Sequence, residues 1–435
     1  MLRVARNRLI VCVLVVVTFI ITPRGGLFAA GFSRKIVIFT DGTLLADQEE
    51  IVTNLGGQII HVLSFINALA VQFPLNNLTL ILLSLLNNLS VVDVFDDLVG
   101  LMDLETPITV LNPGGENFEW GQDHIQIPQV YSNGVLGSGV KVAVLDTGID
   151  FTHPDLASAI VGGFNAIPVT PGQSYYDDNG HGTHIAGIIA AQVNGQGIIG
   201  TASQAQLVAV KVLGATGAGF LSDFINGLQW VHDHGIPEQG IRVLNMSLSF
   251  AQGSVPLQKA IDRLSQKNAI MVASAGNCGQ AGGHVSESGG ADGGGSATAC
   301  NPLQPAQHAV LYPAAYPGVM AVAATDILDH VTNYSRYGPG SQVAVAAPGG
   351  AQASLRLLST VSGVPGGGYG LASGTSQAAA HASGVVALAL QCKPGLSFNQ
   401  VVAKLQATAQ WLVGYSSQQQ GAGLIQAAQL MQALQ

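Results

Sequence analysis

The sequence predicts an α/β protein: a doubly wound, mostly parallel sheet with helices on both faces, preceded by a smaller α+β domain. Three observations lead there. Short β-branched runs, residues 140–145 and 208–212 among them, alternate with helix-length apolar runs such as 184–193 and 378–390. Strands hidden on both faces read as continuous apolar runs rather than alternating ones. Hydrophobic residues make up 48% of the chain and charged residues only 9%, so a large core is available and general disorder is excluded. Finally, 435 residues exceed one ordinary domain, and the first hundred carry a different order of elements from the rest.

The chain opens with Arg3, Arg6 and Arg8, then an apolar run over residues 9–21, then the small residues Ala29, Ala30 and Gly31. This is the layout of a secretory signal peptide over residues 1–30, and the run is short of the ~20 residues a spanning helix needs. An uncleaved anchor is the competing reading, because bulky Phe28 stands just before a cut at Ala30. Residues 34–97 then read as a strand at 35–39, a helix at 47–55 stopped by Gly56-Gly57, strands at 59–65 and 68–73, a buried helix at 78–89 and a strand at 91–95. That is the ferredoxin-like order. The run LTLILLSLL inside the second helix is too short to span a bilayer and is bounded by Pro74 and two Asn pairs. Residues 98–115, with Pro107, Pro113 and Gly114-Gly115, have linker composition and are the expected processing site. The main domain occupies 116–435, with a Gly- and Ser-rich surface loop at 279–299. A net charge of −9 and no basic cluster beyond the leader argue against nucleic-acid binding.

Three segments carry chemistry. VAVLDTGID, residues 142–150, ends a buried strand at Asp146, and α/β sheets place their sites at such strand ends. DDNGHGTHIAGIIAA, residues 177–191, sets His181 between glycines at the start of a helix. SGTSQAAAHASGVVALAL, residues 373–390, puts Ser376 where a loop turns into an apolar helix. The unpaired N–H groups and positive end of such a helix suit a developing oxyanion. Taken singly, each segment has an ordinary reading as a turn aspartate, a helix start or a helix cap. The His181-x-x-His184 pair lacks the acidic residue of a zinc-binding helix.

Together, and in the chain order Asp, His, Ser, these segments resemble the subtilisin family of serine proteases. ASAGN at 273–277 resembles the family's oxyanion segment, NMSLS at 245–249 its substrate-pairing strand, and INALAV at 66–71 part of its inhibitory propeptide. YPAAYPGVMAVAATD at 312–326 and GAGLIQAAQ at 421–429 fit the same order, so the resemblance covers roughly residues 116–430 and extends to 34–97. It implies a secreted serine endopeptidase made as a self-processing precursor, with Asp146, His181 and Ser376 as its triad. Asn277 and the Ser376 backbone N–H would be the oxyanion donors. Ser247, Leu248 and Ser249 on one side, and Ser274, Ala275 and Gly276 on the other, would bound the substrate cleft. The implied partners are peptide substrates and the chain's own propeptide, with a monomeric enzyme and no stable membrane partner once the leader is removed. No cofactor is implied for catalysis. A structural Ca²⁺ is implied, held by Glu116, Asp155 and Asn194 with the carbonyls of Gln192, Gln196 and Ile198, an oxygen set that suits this ion. The chain departs from the family at Gln377, usually Met, and Ala380, usually Pro. An inactive binding scaffold that kept the fold is the rival, and the presence of all three triad residues plus Asn277 weighs against it.

Cys12 falls in the leader, whereas Cys278 and Cys300 bracket the glycine-rich loop. In an exported protein they are expected to pair, leaving Cys392 as an inert core thiol. GQGIIG at 195–200 matches a dinucleotide-binding pattern but follows a helix, the wrong order for that function.

Overall fold

The computed structural model describes residues 31–102, 107–110, 113, 115–168, 174–277, 309–338, 342–351 and 356–435. The N-terminal domain runs β1 (Phe32–Phe39), α1 (Leu45–Thr53), β2 (Gln58–Leu63), β3 (Ala68–Pro74), α2 (Leu78–Asn87) and β4 (Val91–Asp96). Its strands form an antiparallel sheet in the order β2-β3-β1-β4, as the ferredoxin-like reading requires. Period-two alternation splits the sheet's side chains between two cores. Ile36, Ile38, Ala68 and Ala70 pack into the main domain, while Val37, Phe39, Leu69 and Val71 lie under Val52 of α1 and Ile81 and Leu85 of α2. The expected buried helix is therefore only half buried: Leu80 is 66% and Leu83 53% exposed. A run that is apolar all round carries no period to say which face will be covered.

The expected linker contains two strands. β5 (Val99–Met102) lies antiparallel between β10 (Ala218–Phe220) and β12 (Leu248–Ser249). β6 (Ile108–Val110) joins the edge of β17 (Gly368–Ala372), which pairs in turn with β16 (Leu357–Val361). Proline and glycine mark a segment with no hydrophobic period of its own, but here the ordering edges come from the main domain.

The main sheet consists of β7 (Lys141–Asp146), β8 (Ile160–Asn165), β9 (Gln206–Lys211), β11 (Ile241–Met246), β13 (Ile270–Ser274), β14 (Val319–Thr325) and β15 (Val343–Pro348). All neighbours are parallel, in the order β15-β14-β13-β11-β7-β9-β8. On one face lie α5 (His181–Ala190), α9 (Thr375–Cys392), α10 (Phe398–Thr408) and α12 (Ala427–Ala433), with the short α3 (Trp120–His124) and α4 (Ile127–Ser132) beside them. On the other lie α6 (Leu221–Trp230) and α8 (Val255–Ser265). The one-turn helices α7 (Ile236–Gln239) and α11 (Ser417–Gln420) serve as connectors.

From Thr375 to Leu390, α9 is buried at every residue, and Ala380 leaves it unbroken. Small residues permit that depth: a Cβ on Gly384 would stand 2.5 Å from the Thr201 Cβ. The helix emerges at its last turn, so Cys392 is exposed and free rather than a core thiol, with its Sγ 3.6 Å from Met431 Sδ. Cys278, Cys300 and the loop between them lie outside the described residues.

Candidate active site

Asp146 ends β7, and His181 is the first residue of α5. Their side chains meet at 2.8 Å between Asp146 Oδ1 and His181 Nδ1, and both are fully buried. The glycine after the histidine makes this approach possible. A Cβ on Gly182 would lie 2.1 Å from the Gly148 carbonyl oxygen, so any other residue would push α5 off the strand end. The Thr147 amide donates to Asp146 Oδ1 at 2.7 Å, holding the carboxylate as an acceptor toward the imidazole.

Asp177, which the sequence reading passed over, positions this pair. It is fully buried and accepts hydrogen bonds from Thr147 Oγ1 (2.8 Å), Thr183 Oγ1 (2.6 Å) and the amides of Asn179, Gly180 and Thr183 (2.9 Å each). It thus ties the loop after β7 to the start of α5 and satisfies N–H groups that a helix start leaves over. The signal was present: Asp177 precedes Asn179-Gly180, a pattern that folds back on its own amides.

Ser376 stands in the first turn of α9, which packs against α5. Its hydroxyl donates to the Ser247 carbonyl at 3.2 Å, and the Ser247 hydroxyl donates back to the Ser376 carbonyl at 3.1 Å. Asn245 and Ser383 buttress Ser247, through bonds of 2.9 Å from Asn245 to its hydroxyl and 3.0 Å from Ser383 to Asn245. Asn277 follows β13, and its Oδ1 accepts from Thr375 N (3.2 Å) and Thr375 Oγ1 (3.0 Å). That fixes the Asn277 amide, through its oxygen, against the start of α9. Ser274, Ala275 and Gly276 lead into Asn277 along the end of β13. The Gly276 amide donates to Thr375 Oγ1 at 3.2 Å.

Behind Ser376 is a buried polar layer. His184 Nε2 donates to the Gly370 carbonyl at 3.0 Å, leaving Nδ1 to accept from Gln377 Nε2 at 3.5 Å. Burial, and then the neighbouring His181, pull His184 down to about 3, so it stays neutral. His381 Nδ1 donates between the Pro348 and Gln377 carbonyls, and burial lowers this imidazole to about 4. Neither ring is presented as a metal ligand.

β5 occupies the cleft beside these groups. Leu101 pairs with Ser249 and Ala218, and Met102 with Leu248, while the Met102 amide donates to the Gly217 carbonyl at 2.9 Å. The strand is clamped where it leaves the N-terminal domain. Asp97 Oδ1 accepts from the Ser222 amide at 2.8 Å, capping α6. Burial raises the Asp97 carboxyl above its ordinary value, offset by Arg34. Arg34 bridges Asp97 (2.8 Å) and Asp223 (3.0 Å), with its guanidinium 3.8 Å over the Phe220 ring, and His61 Nε2 meets Asp223 at 2.8 Å.

The expected calcium ligands converge only in part. Glu116 Oε1 accepts from the Asn194 and Gly195 amides, and Asn194 Nδ2 donates to Asp155 Oδ1 at 3.1 Å. Asp155 Oδ2 accepts from Tyr369 Oη at 2.8 Å and from the Ile198 amide at 3.4 Å, and the Gln196 amide donates to Asn194 Oδ1 at 3.1 Å. The Gln192 amide donates to the Asp155 carbonyl at 2.9 Å, which ties this loop to Asp155 through the backbone. Among the described residues, no three His, Cys, Asp or Glu side chains gather as a metal cluster.

A strand-end aspartate on a helix-start histidine, with a serine at the head of a buried helix, defines the serine endopeptidase class. The subtilase family model matches residues 137–423, and the chain belongs to that family. It is similar to M-protease of Shouchella clausii (strain KSM-K16), 33% identical over 91% of this chain and 86% of the relative. Subtilisin Savinase of Lederbergia lenta is 38% identical over 72% of this chain and 98% of its own length. Alkaline elastase YaB of Bacillus sp. (strain YaB) is 35% identical over 76% of this chain and 74% of the relative.

Proposed function

We propose that this endopeptidase is secreted as a self-processing precursor and cuts peptide bonds through Asp146, His181 and Ser376. The observation that carries the reading is the buried Asp146–His181 pair, 2.8 Å apart through Nδ1. With Nδ1 engaged by Asp146, Nε2 is the ring nitrogen that would serve the nucleophile. In the reaction, the Ser376 hydroxyl leaves the Ser247 carbonyl and passes its proton to His181 Nε2 as Oγ attacks the peptide carbonyl. Asp146 holds the ring and stabilises its charged form. The oxyanion receives hydrogen bonds from the Ser376 amide and Asn277 Nδ2. His181 then protonates the departing amine, and the acyl-enzyme forms. Water, deprotonated by the same ring, resolves it.

Residues 31–102 act as the intramolecular inhibitor, because β5 adds a strand where an extended substrate would lie. The cut is expected between about Leu104 and Glu119, in the segment of linker composition that follows β5. Val99, Leu101 and Met102 are apolar, which supports apolar preference on the N-terminal side of the cut. A structural Ca²⁺ fits the loop carrying Asn194. Asp155 is fully buried, and its partners Asn194, Tyr369 and the Ile198 amide include no cation. A carboxylate taken out of water in that way is stabilised by a bound cation. With Glu116, Asn194 and the carbonyls of Gln192, Gln196 and Ile198 it would supply a hard-oxygen set, and the ion would lock this loop to the start of the main domain.

The test is Ser376→Ala, expressed in a host lacking other proteases. The variant should accumulate as an uncut precursor. Normal maturation would remove Ser376 from the mechanism.

A further inference from the structure

The outer side of α2, with the turns before and after it and the start of β4, carries a surface that catalysis does not use. Leu75, Leu80, Leu83, Leu89 and Val92 are 50%, 66%, 53%, 95% and 53% exposed. Residues 75–92 contain no charged side chain at all. Exposed apolar side chains gathered within one short uncharged segment mark an interaction site rather than ordinary surface. It lies on the side of the β1–β4 sheet opposite the main domain, since the sheet's other face supplies Ile36, Ile38 and Ala70 to the main core. Among the described residues, the main domain packs on the sheet's other face and does not cover it.

Its position along the chain indicates the occupant. The Leu75 amide donates to the Gly31 carbonyl at 2.7 Å, and Phe32, 42% exposed, pairs with Pro74. The thirty residues before Gly31, with their apolar run over 9–21, thus join the domain at the edge of the leucine surface. Whatever bilayer receives that run is brought beside α2 at high effective concentration. No described helix is long and apolar enough to cross a membrane, so α2 would lie in the interface rather than span it. We propose that this face of α2 is a bilayer-docking surface, which seats the precursor on the lipid headgroup boundary before the N-terminal domain is removed.

Electrostatics sharpen the proposal. Residues 31–102 hold only Arg34 and Lys35 as cations, against seven carboxylates, and both cations are paired with Asp97, Asp223 or Asp96. Docking must rest on leucine burial, not on attraction to anionic lipid, so it should be insensitive to salt and weaker on anionic vesicles.

The experiment uses the full chain carrying Ser376→Ala as the parent, mixed with phosphatidylcholine vesicles and sedimented, with the same chain lacking residues 1–30 run beside it to separate the tether from the α2 surface. Partition with the vesicles is expected, persisting at high salt and reduced when phosphatidylserine is added. Leu80→Asp with Leu83→Asp should lower the partition coefficient by tenfold or more on the order-of-magnitude scale of losing two buried side chains. Leu80→Gln with Leu89→Gln gives a milder second variant with the same direction. Unchanged partition in both variants, or no partition of the parent, overturns the proposal. So does a parent that forms a dimer in light scattering which the same variants abolish, since the surface would then receive a second copy.

Discussion

Replacing Glu119 with Gln should stabilise the mature domain at alkaline pH and leave it unchanged in acid. Glu119 sits just before α3, partly buried, with its carboxylate hydrogen-bonded to the Leu358 amide on β16. Burial raises it from 4.5 to about 7, the Leu358 bond opposes the rise, and Asp123 adds to it. The folded state therefore holds this proton more tightly than the unfolded chain. Stability is fully present below the unfolded value near 4.5 and is lost as pH climbs through the folded value near 7. The displacement corresponds to a ceiling of about 3 kcal/mol, and partial exposure cuts this to about 1–2 kcal/mol. Gln keeps the acceptor for Leu358 and cannot ionise. In a domain of this size the gain amounts to roughly 2–4 °C in Tm at pH 8. The assay is calorimetry of Ser376→Ala protein with and without Glu119→Gln, at pH 4 and pH 8. Equal Tm values at pH 8, or a loss there, would refute the burial argument.

Three further outcomes are expected. Chelator should lower the Tm of the parent through loss of native-state binding, and Asp155→Ala should abolish that sensitivity; a parent melting curve indifferent to chelator counts against the calcium loop. Activity should survive peroxide better than in Gln377→Met, since a thioether beside the nucleophile oxidises to a bulkier polar group; equal inactivation of the two would sink this. Peptide mapping of exported protein without reductant should recover a Cys278–Cys300 link, worth about 3 kcal/mol in the chain-entropy model; any link to Cys392, or free Cys278, refutes it.

The parts of the fold that were legible are those whose signal is local. Strand and helix runs of the main domain, and Asp146, His181 and Ser376 at their ends, announce themselves through period and through glycine placement. β1 to β4 were read nearly to their bounds, because each strand carries its own apolar face and each turn its own glycine or asparagine. What escaped depends on a partner elsewhere. β5 and β6 exist only because β10, β12 and β17 offer edges, and no residue of 98–110 advertises that. Asp177 acts through Thr147 and Thr183, two sites brought together only in the fold. The exposed side of α2 and the surfacing of α9 at Cys392 are questions of where the core stops, which an all-apolar run does not record.

The burial of α9 has a consequence for how this enzyme can change. Local opening draws on segments with few buried contacts, and a helix hidden at sixteen consecutive positions has no such low-energy route. Ser376 is mounted on one of the segments least able to open locally. Shifts in rate or selectivity are then expected from what surrounds it, such as the strands β10 and β12, where a residue can be exchanged without loosening the mount. A protein arranged this way can diversify what it cuts while the device that cuts stays fixed.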